Sequence, residues 1–316
     1  MRAVVFGYSN VGDRCLRVLH AGGVQVTLVV THRDHPGETL WFARVADTAE
    51  ELGVPMVYAE DLDPAALDAR VAAAAPDLIF SFYFRSMLPQ SVLARARLGA
   101  FNMHGSLLPK FRGRAPTNWA VLKGATETGA TLHRMVAKPD AGAIVDQCAV
   151  PILPDDTARQ VFDKVCVAAE TVLWRSLPAL LAGSAPELPN DLSQGSYFGG
   201  RKPEDGRIDW SRPAAEVYNL IRAVAPPYPG AFTEIAGRRL IVGEARLASA
   251  ASPASAASHA SRGSAMPGAV SAGSPGLAVH QGRIVGVCGD GGLIDIRCLL
   301  ESGHPVEPDT LARWLN

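Results

Sequence analysis

Asp77-Leu-Ile-Phe-Ser-Phe-Tyr-Phe84 is apolar on both faces of an extended chain. A strand with one wet face alternates apolar and polar residues, and this one does not. Such a run suits a parallel sheet covered on both sides by helices. The flanking chain agrees. Ala3–Gly7 is a short buried strand followed by an amphipathic stretch, Val11–Ala21, and Gln25–Thr31 is a second β-branched run. Glu38–Leu52 has helical spacing and stops at Gly53, and Met56–Tyr58 is strand-like. Pro64–Ala75 is an Ala-rich helix with Asp63 as N-cap and proline at the first helical position. Leu88–Arg97 is helical, Gly99–His104 a strand, and Thr157–Leu181 a long helix closed by Gly183. The alternation predicts an α/β fold.

The pattern changes after Gly183. With 316 residues and roughly 150 per domain, about two domains are expected. Residues 1–187 form the first, 188–202 a Pro-containing polar linker, and 203–316 a second domain. In the second, Gly206–Trp210 is extended and Pro213–Ala225 a helix started by Ser211. Ala231–Leu247 and Ala278–Leu299 are Gly-broken extended runs, which suggest a small β-barrel. Residues 248–276, almost wholly Ala, Ser, Gly and Pro, read as a disordered insert in that barrel.

Thirty Lys+Arg against 31 Asp+Glu argue against a surface coated in positive charge to grip nucleic acid. No stretch approaches the ~20 apolar residues of a membrane helix. The N-terminus MRAVVFGYSNVG is too quickly polar for a signal peptide. Five cysteines without a CxxC pair argue against a disulfide framework and a structural zinc site. The expectation is a soluble, cytoplasmic protein without metal. Gly7-Tyr-Ser-Asn-Val-Gly12 lacks the dinucleotide fingerprint and there is no Walker lysine.

Chemistry concentrates in Phe101-Asn-Met-His-Gly-Ser-Leu-Leu-Pro-Lys-Phe-Arg-Gly-Arg-Ala-Pro-Thr-Asn-Trp119. Asn102 and His104 lie two apart on a strand, so they share a face. They sit at its C-terminal end, where open α/β sheets bind ligands. An amide and an imidazole side by side offer two donors to a developing oxyanion, and the imidazole also moves protons near neutral pH. Asp140, in a turn before the next strand, can return to the sheet. A carboxylate beside His104 is expected to raise the imidazole pKa. Taken singly, each residue also has a bland reading: Asn102 and His104 satisfying backbone groups, Asp140 capping a turn. His133 reads as a packed strand residue.

The order Asn102-x-His104-Gly-Ser-Leu-Leu-Pro109, then Phe111-Arg-Gly113, Glu127-Thr-Gly-Ala-Thr-Leu-His133 and Asp140-Ala-Gly142 resembles the 10-formyltetrahydrofolate-dependent formyltransferases. The resemblance runs nearly end to end, with Gly206–Trp210 and Ile221–Gly230 matching the family's C-terminal barrel. It is nearest the formyltransferase half of the bifunctional enzyme that modifies UDP-4-amino-4-deoxy-L-arabinose, on the route to polymyxin-resistant lipid A. The resemblance implies a Rossmann-like sheet with a smaller OB-like barrel. It implies a catalytic set of Asn102, His104 and Asp140 and a folate co-substrate. Folate contacts would come from Ser86, Met87, Leu88, Arg114 and the loop Val136, Ala137, Lys138, Pro139 and Asp140. Lys110 and Arg112 are either a solvated basic turn or a diphosphate site. The bifunctional relative carries a decarboxylase domain that these residues lack, so that activity is expected from a separate polypeptide.

Methionyl-tRNA formyltransferase is the main rival. Its basic loop corresponds to Thr31–Gly53, which here carries Arg33 and Arg44 against Asp34, Glu38, Asp47, Glu50 and Glu51. That excess of acid repels phosphate. An oligonucleotide-binding module built on the barrel would present Trp210, Tyr218, Tyr228 and Phe232, yet has no Lys/Arg stripe. The expected partners are therefore a nucleotide-linked aminosugar and folate, with no nucleic acid and no membrane.

Overall fold

A computed structural model describes residues 1–37, 39–248 and 274–315. The chain divides into two compact units, the first comprising 1–120, 126–152 and 160–200, the second 121–125, 153–159 and 201–316.

The first unit is α/β. Its elements are β1 (Arg2–Gly7), α1 (Ser9–Ala21), β2 (Gln25–Thr31), α2 (Val45–Glu51), β3 (Met56–Tyr58), α3 (Pro64–Ala74), β4 (Leu78–Phe82), α4 (Gln90–Leu93), β5 (Gly99–His104), β6 (Arg112–Gly113), α5 (Pro116–Leu122), β7 (Glu127–Arg134), β8 (Ile144–Pro151), α6 (Ala158–Ala182) and β9 (Tyr197–Phe198). The main sheet runs β3-β2-β1-β4-β5-β7-β8. The first five strands are parallel, and β7 and β8 add antiparallel beyond β5. Every residue of β4 is buried, as its two-faced apolar run requires. One face packs Val4, Phe6, Leu28, Val30 and Ile79 against Val71 of α3 and Val92 of α4, while α1 covers the other side of β1 and β4. Each fully buried side chain of this size contributes roughly 1.5–3 kcal/mol. Asp63 caps α3 by accepting from the Ala66 N–H at 2.8 Å.

Two expected helices are shorter than their patterns. Of 38–52, only Val45–Glu51 is helical. Trp41 and Phe42 instead turn edge-on to Phe162 and Tyr8, and the Ala43 N–H donates to Asn10 Oδ1 at 2.6 Å. Of 88–97, only Gln90–Leu93 is helical, because Pro89 opens it and Arg95 and Arg97 are drawn to Asp68 and Asp77. One helix corrects the expectation about membrane-length segments. At 25 residues, α6 is long and apolar enough by length and composition to cross a membrane, but here it buries Val161, Phe162, Val165, Ala169, Val172, Leu173 and Leu177 in the protein.

The second unit holds α7 (Ala214–Val224), β10 (Ala231–Ile235), β11 (Arg238–Leu247), β12 (Gly276–His280), β13 (Arg283–Val287), β14 (Leu293–Glu301), β15 (His304–Pro305) and α8 (Pro308–Leu315). Its antiparallel sheet runs β10-β11-β14-β13-β12, with β15 beside β14. The hairpins turn on Ala236-Gly237, Gln281-Gly282 and Ser302-Gly303, each pair at positive φ. That is the turn geometry whose twist matches paired strands. Register shifts near Glu244 bend β11, giving a half-barrel. Ser211 does not cap α7; its hydroxyl turns back to Asp209, and Pro213 holds the N-cap position. The Gly206–Trp210 stretch is not a strand: a short turn covers Pro203–Gly206, and Arg207 makes a single bridge to Phe232. Of the Ala/Ser-rich insert at 248–276, residues 249–273 lie outside the described residues, and its last residue, Gly276, is already part of β12.

Candidate active site

Strand pairing assembles the site. Asn102 of β5 lies opposite His133 of β7, and His104 opposite Thr131. Directly opposed residues share a face, so the two-residue spacings on both strands project Asn102, His104 and His133 to one side. Thr131 is consumed by structure: its hydroxyl donates to Ser106 O at 2.6 Å and accepts from the Leu108 N–H at 3.1 Å. This locks the turn where β5 ends.

Asp140 closes the group from the loop after β7. Its Oδ1 lies 3.6 Å from His104 Nδ1 and 3.6 Å from His133 Nε2, and its Oδ2 accepts from the Gly113 N–H at 2.9 Å. Both 3.6 Å separations are ion-pair distances, longer than a direct hydrogen bond. His104 Nε2–H donates to the Phe111 carbonyl at 2.9 Å. A carbonyl only accepts, so that nitrogen carries the proton and Nδ1 is the one facing Asp140. By the same logic His133 donates from Nδ1 to Arg134 O at 3.0 Å. Its Nε2 then accepts from Asn102 Nδ2 at 3.1 Å. One N–H of the Asn102 amide is thereby fixed, and the amide is oriented.

The charges differ from the expectation at one point. Asp140 is held well below the usual carboxylate range: its burial is outweighed by the His104 and His133 imidazoles and the Gly113 N–H. His104, however, is pushed down, not up. Burial is the largest influence, and the opposing pull of Asp140 and the Phe111 carbonyl does not overcome it. Asp140 is thus ionised, and burial disfavours the charged form of the His104 ring beside it.

The remaining sequence-derived positions lie on the segments after β4, β5 and β7. Ser86 and Met87 are exposed after β4, whereas Leu88 is buried in the apolar cluster of that sheet face, to which Met135 also packs. Met135 leads into Val136, Ala137 and Lys138, all exposed, and the half-buried Pro139. Arg114 is exposed, with its backbone N–H donating to Phe198 O at 3.0 Å. Arg112 is buried, its guanidinium 6.0 Å from the Tyr197 ring. His133 is a packed strand residue and also a member of the polar cluster. Its two-residue spacing from Thr131, mirroring Asn102 and His104, was the available signal.

The family described as Formyl transferase matches residues 1–177, and its C-terminal domain matches 201–314. The chain belongs to the formyl transferase family. Solved structures share the fold of this formyl transferase. An N-formyltransferase from Helicobacter canadensis, solved with folinic acid and dTDP-3-aminofucose, is 18% identical with a TM-score of 0.67, over 93% of this chain and 98% of that one. The sugar 3N-formyltransferase WlaRD, solved with dTDP and 5-N-formyl-THF, is also 18% identical, with a TM-score of 0.69 over 96% and 98%. HypX from Aquifex aeolicus, in complex with tetrahydrofolic acid, is 17% identical with a TM-score of 0.63, over all of this chain and 48% of that one.

Proposed function

We propose that this formyl transferase moves a formyl group from 10-formyltetrahydrofolate to the amine of a nucleotide-linked aminosugar. The observation that carries the reading is that Asn102 and His104 share one sheet face and the loop residue Asp140 places its carboxylate 3.6 Å from the buried His104 ring. The amine nitrogen attacks the formyl carbon, and the C=O electron pair moves to oxygen. The second N–H of Asn102 donates to that oxyanion; a donor so placed is worth roughly 3–4 kcal/mol of barrier. The nitrogen, now positive, loses a proton to the imidazole of His104, and the ionised Asp140 stabilises the resulting imidazolium. His104 then returns that proton to N10 of the folate as the C–N10 bond breaks. The products are the formamide and tetrahydrofolate, and both groups end in their starting states. His104 thus supplies a proton it has first collected, which suits a group that burial keeps neutral at rest.

Ser86, Met87, Leu88, Arg114 and the Val136–Asp140 loop are the proposed folate contacts, carried by family resemblance. The proposed acceptor is UDP-4-amino-4-deoxy-L-arabinose, which would place the reaction in lipid A modification. The solved structures of like fold, one with dTDP-3-aminofucose and one with dTDP, favour a second acceptor class, dTDP-3-aminosugars. Purified protein, 10-formyltetrahydrofolate and a panel of UDP- and dTDP-aminosugars decide the matter by mass spectrometry. The expected product gains one CO unit. No gain on any sugar, with formylation of charged initiator tRNA instead, would overturn the reading.

A further inference from the structure

Two loops carry what the cluster needs. The first, after β5, supplies the Phe111 carbonyl that fixes the His104 tautomer and the Gly113 N–H that holds Asp140 Oδ2. The second, after β7, supplies Asp140 itself. Both loops hold non-glycine residues in the left-handed region: φ is 54° at Phe111, 50° at Ala115 and 51° at Asp140. Such conformations persist only where neighbours over-determine them.

Neighbours of Phe111 and Asp140 come from one segment, residues 188–198, which lies beyond α6 and meets β8 at the Leu188–Ile144 bridge. The Asn190 side-chain amide donates to Asp140 O and to Gly142 O, each at 3.0 Å. Both of its hydrogens thereby span the turn that presents the Asp140 carboxylate. Leu188 and Ile144 exchange backbone hydrogen bonds at 2.8 and 2.9 Å, which anchors the far side of that loop. On the first loop, Ser196 Oγ accepts from the Phe111 N–H at 2.9 Å, and Ser196 O accepts from the Arg112 N–H at 2.9 Å. Phe111 is thus held by its N–H while its carbonyl holds His104. β9 pairs in parallel with β6 and sets the position of Gly113.

We infer that residues 188–198 act as a clasp on the reacting groups, with Asn190 the positioning residue for the Asp140 carboxylate and Ser196 the positioning residue for the His104 ring. Neither touches the reacting atoms; each acts through a backbone group of the residue it holds. The clasp rests on the formyl-transfer assignment for its functional meaning, while its geometry can be tested without turnover.

The test pairs kinetics with an NMR titration of the His104 ring in Asn190→Ala, Asp140→Asn and the double variant. The groups facing that ring are Asp140, His133 and the Phe111 carbonyl, so a drifting carboxylate is read directly by the imidazole. If Asn190 holds Asp140, Asn190→Ala lowers the His104 titration midpoint in the direction that Asp140→Asn does. It also lowers kcat by about 10- to 100-fold, the scale of a sub-ångström to ångström misplacement, with KM for the aminosugar within about threefold of wild type. In the Asp140→Asn background the Asn190 change adds nothing further. Ser196→Ala lowers kcat without requiring Asp140. An unmoved His104 midpoint, or a full additional loss in the Asp140→Asn background, overturns the clasp and leaves Asn190 as scaffold. Asn190→Leu, close in shape, uncharged and without donors, replaces the alanine variant if that one does not fold; failure of both to fold also assigns Asn190 to the scaffold. Absence of formyl transfer by the wild type defeats the proposed function instead, and the NMR arm still decides the clasp.

Discussion

Replacing Asp140 with asparagine keeps the shape of the side chain and removes its charge, which isolates what the carboxylate does for His104. In the proposed reaction the imidazole is neutral at rest and positive once it has taken the amine's proton. The charge at Asp140 therefore acts on the second state and not on the first. With Oδ1 3.6 Å from His104 Nδ1 and an effective dielectric near 20, two unit charges attract by about 4–5 kcal/mol. That sets a ceiling of roughly 10³-fold on the rate. The carboxylate is shared with His133 and the Gly113 N–H, which remain to orient the asparagine, so a loss of about 10²-fold is expected. The direction of the pH effect follows from the influences on His104: burial lowers its pKa and Asp140 raises it. Removing Asp140 leaves only the Phe111 carbonyl opposing burial, so the midpoint falls further and the limb of kcat/KM that reports His104 moves toward acid. The assay is kcat/KM across pH with a saturating aminosugar, beside a ring-proton titration that separates His104 from the acceptor's own amine. A loss below about threefold, or a limb that moves toward alkali, would refute the assignment of Asp140 as the imidazolium's counter-charge.

Further outcomes follow from the same geometry. Asn102→Ala and His104→Ala should each lower kcat by about 10²-fold or more, with circular dichroism and melting near wild type; a retained tenth of the activity removes either from the mechanism. Gly113→Ala should destabilise the fold by about 2–3 kcal/mol in urea titration, because φ is 98° there and a Cβ would stand 2.1 Å from Phe198 O. An unchanged midpoint would show that the β6–β9 pair yields easily. Burial holds His104 below its ordinary value, so the unfolded chain takes up that proton first. Stability should therefore be intact above about pH 6.5 and decline as pH falls below it. His104→Gln should flatten that decline, and an identical slope in the variant would place its origin elsewhere.

Several short, bounded strands were legible. Gln25–Thr31, Met56–Tyr58 and Gly99–His104 stand at the limits that their residues suggest. Helical periodicity was less reliable, since it counts apolar spacing without asking what each apolar side chain packs against. Trp41 and Phe42 fit a helical stripe, yet their rings find Phe162 and Tyr8 across a loop. The face shared by Asn102 and His104 was readable from two-residue spacing. What spacing does not carry is the antiparallel pairing of β7 on β5 that sets His133 against Asn102. Nor does it carry the return of residues 188–198 onto loops some fifty to eighty residues earlier.

The sign of the His104 shift shows where a local reading of charge stops. A carboxylate within 4 Å of an imidazole raises its pKa when water surrounds the pair. Here the ring is almost entirely enclosed, and the first-order effect of enclosure is to disfavour the charged form. The sequence places the acid near the base but does not say how deep the pair lies. Depth depends on β7 and β8 extending the sheet beyond β5 and on the 105–115 loop folding over its end, both long-range events. The consequence is chemical. A histidine kept protonated at rest could donate at once but could not accept the amine's proton. A histidine kept neutral by burial, beside a carboxylate that stays ionised, is ready to accept first and donate second. Formyl transfer from one nitrogen to another needs that order, because the incoming nitrogen must lose a proton and the leaving nitrogen must gain one.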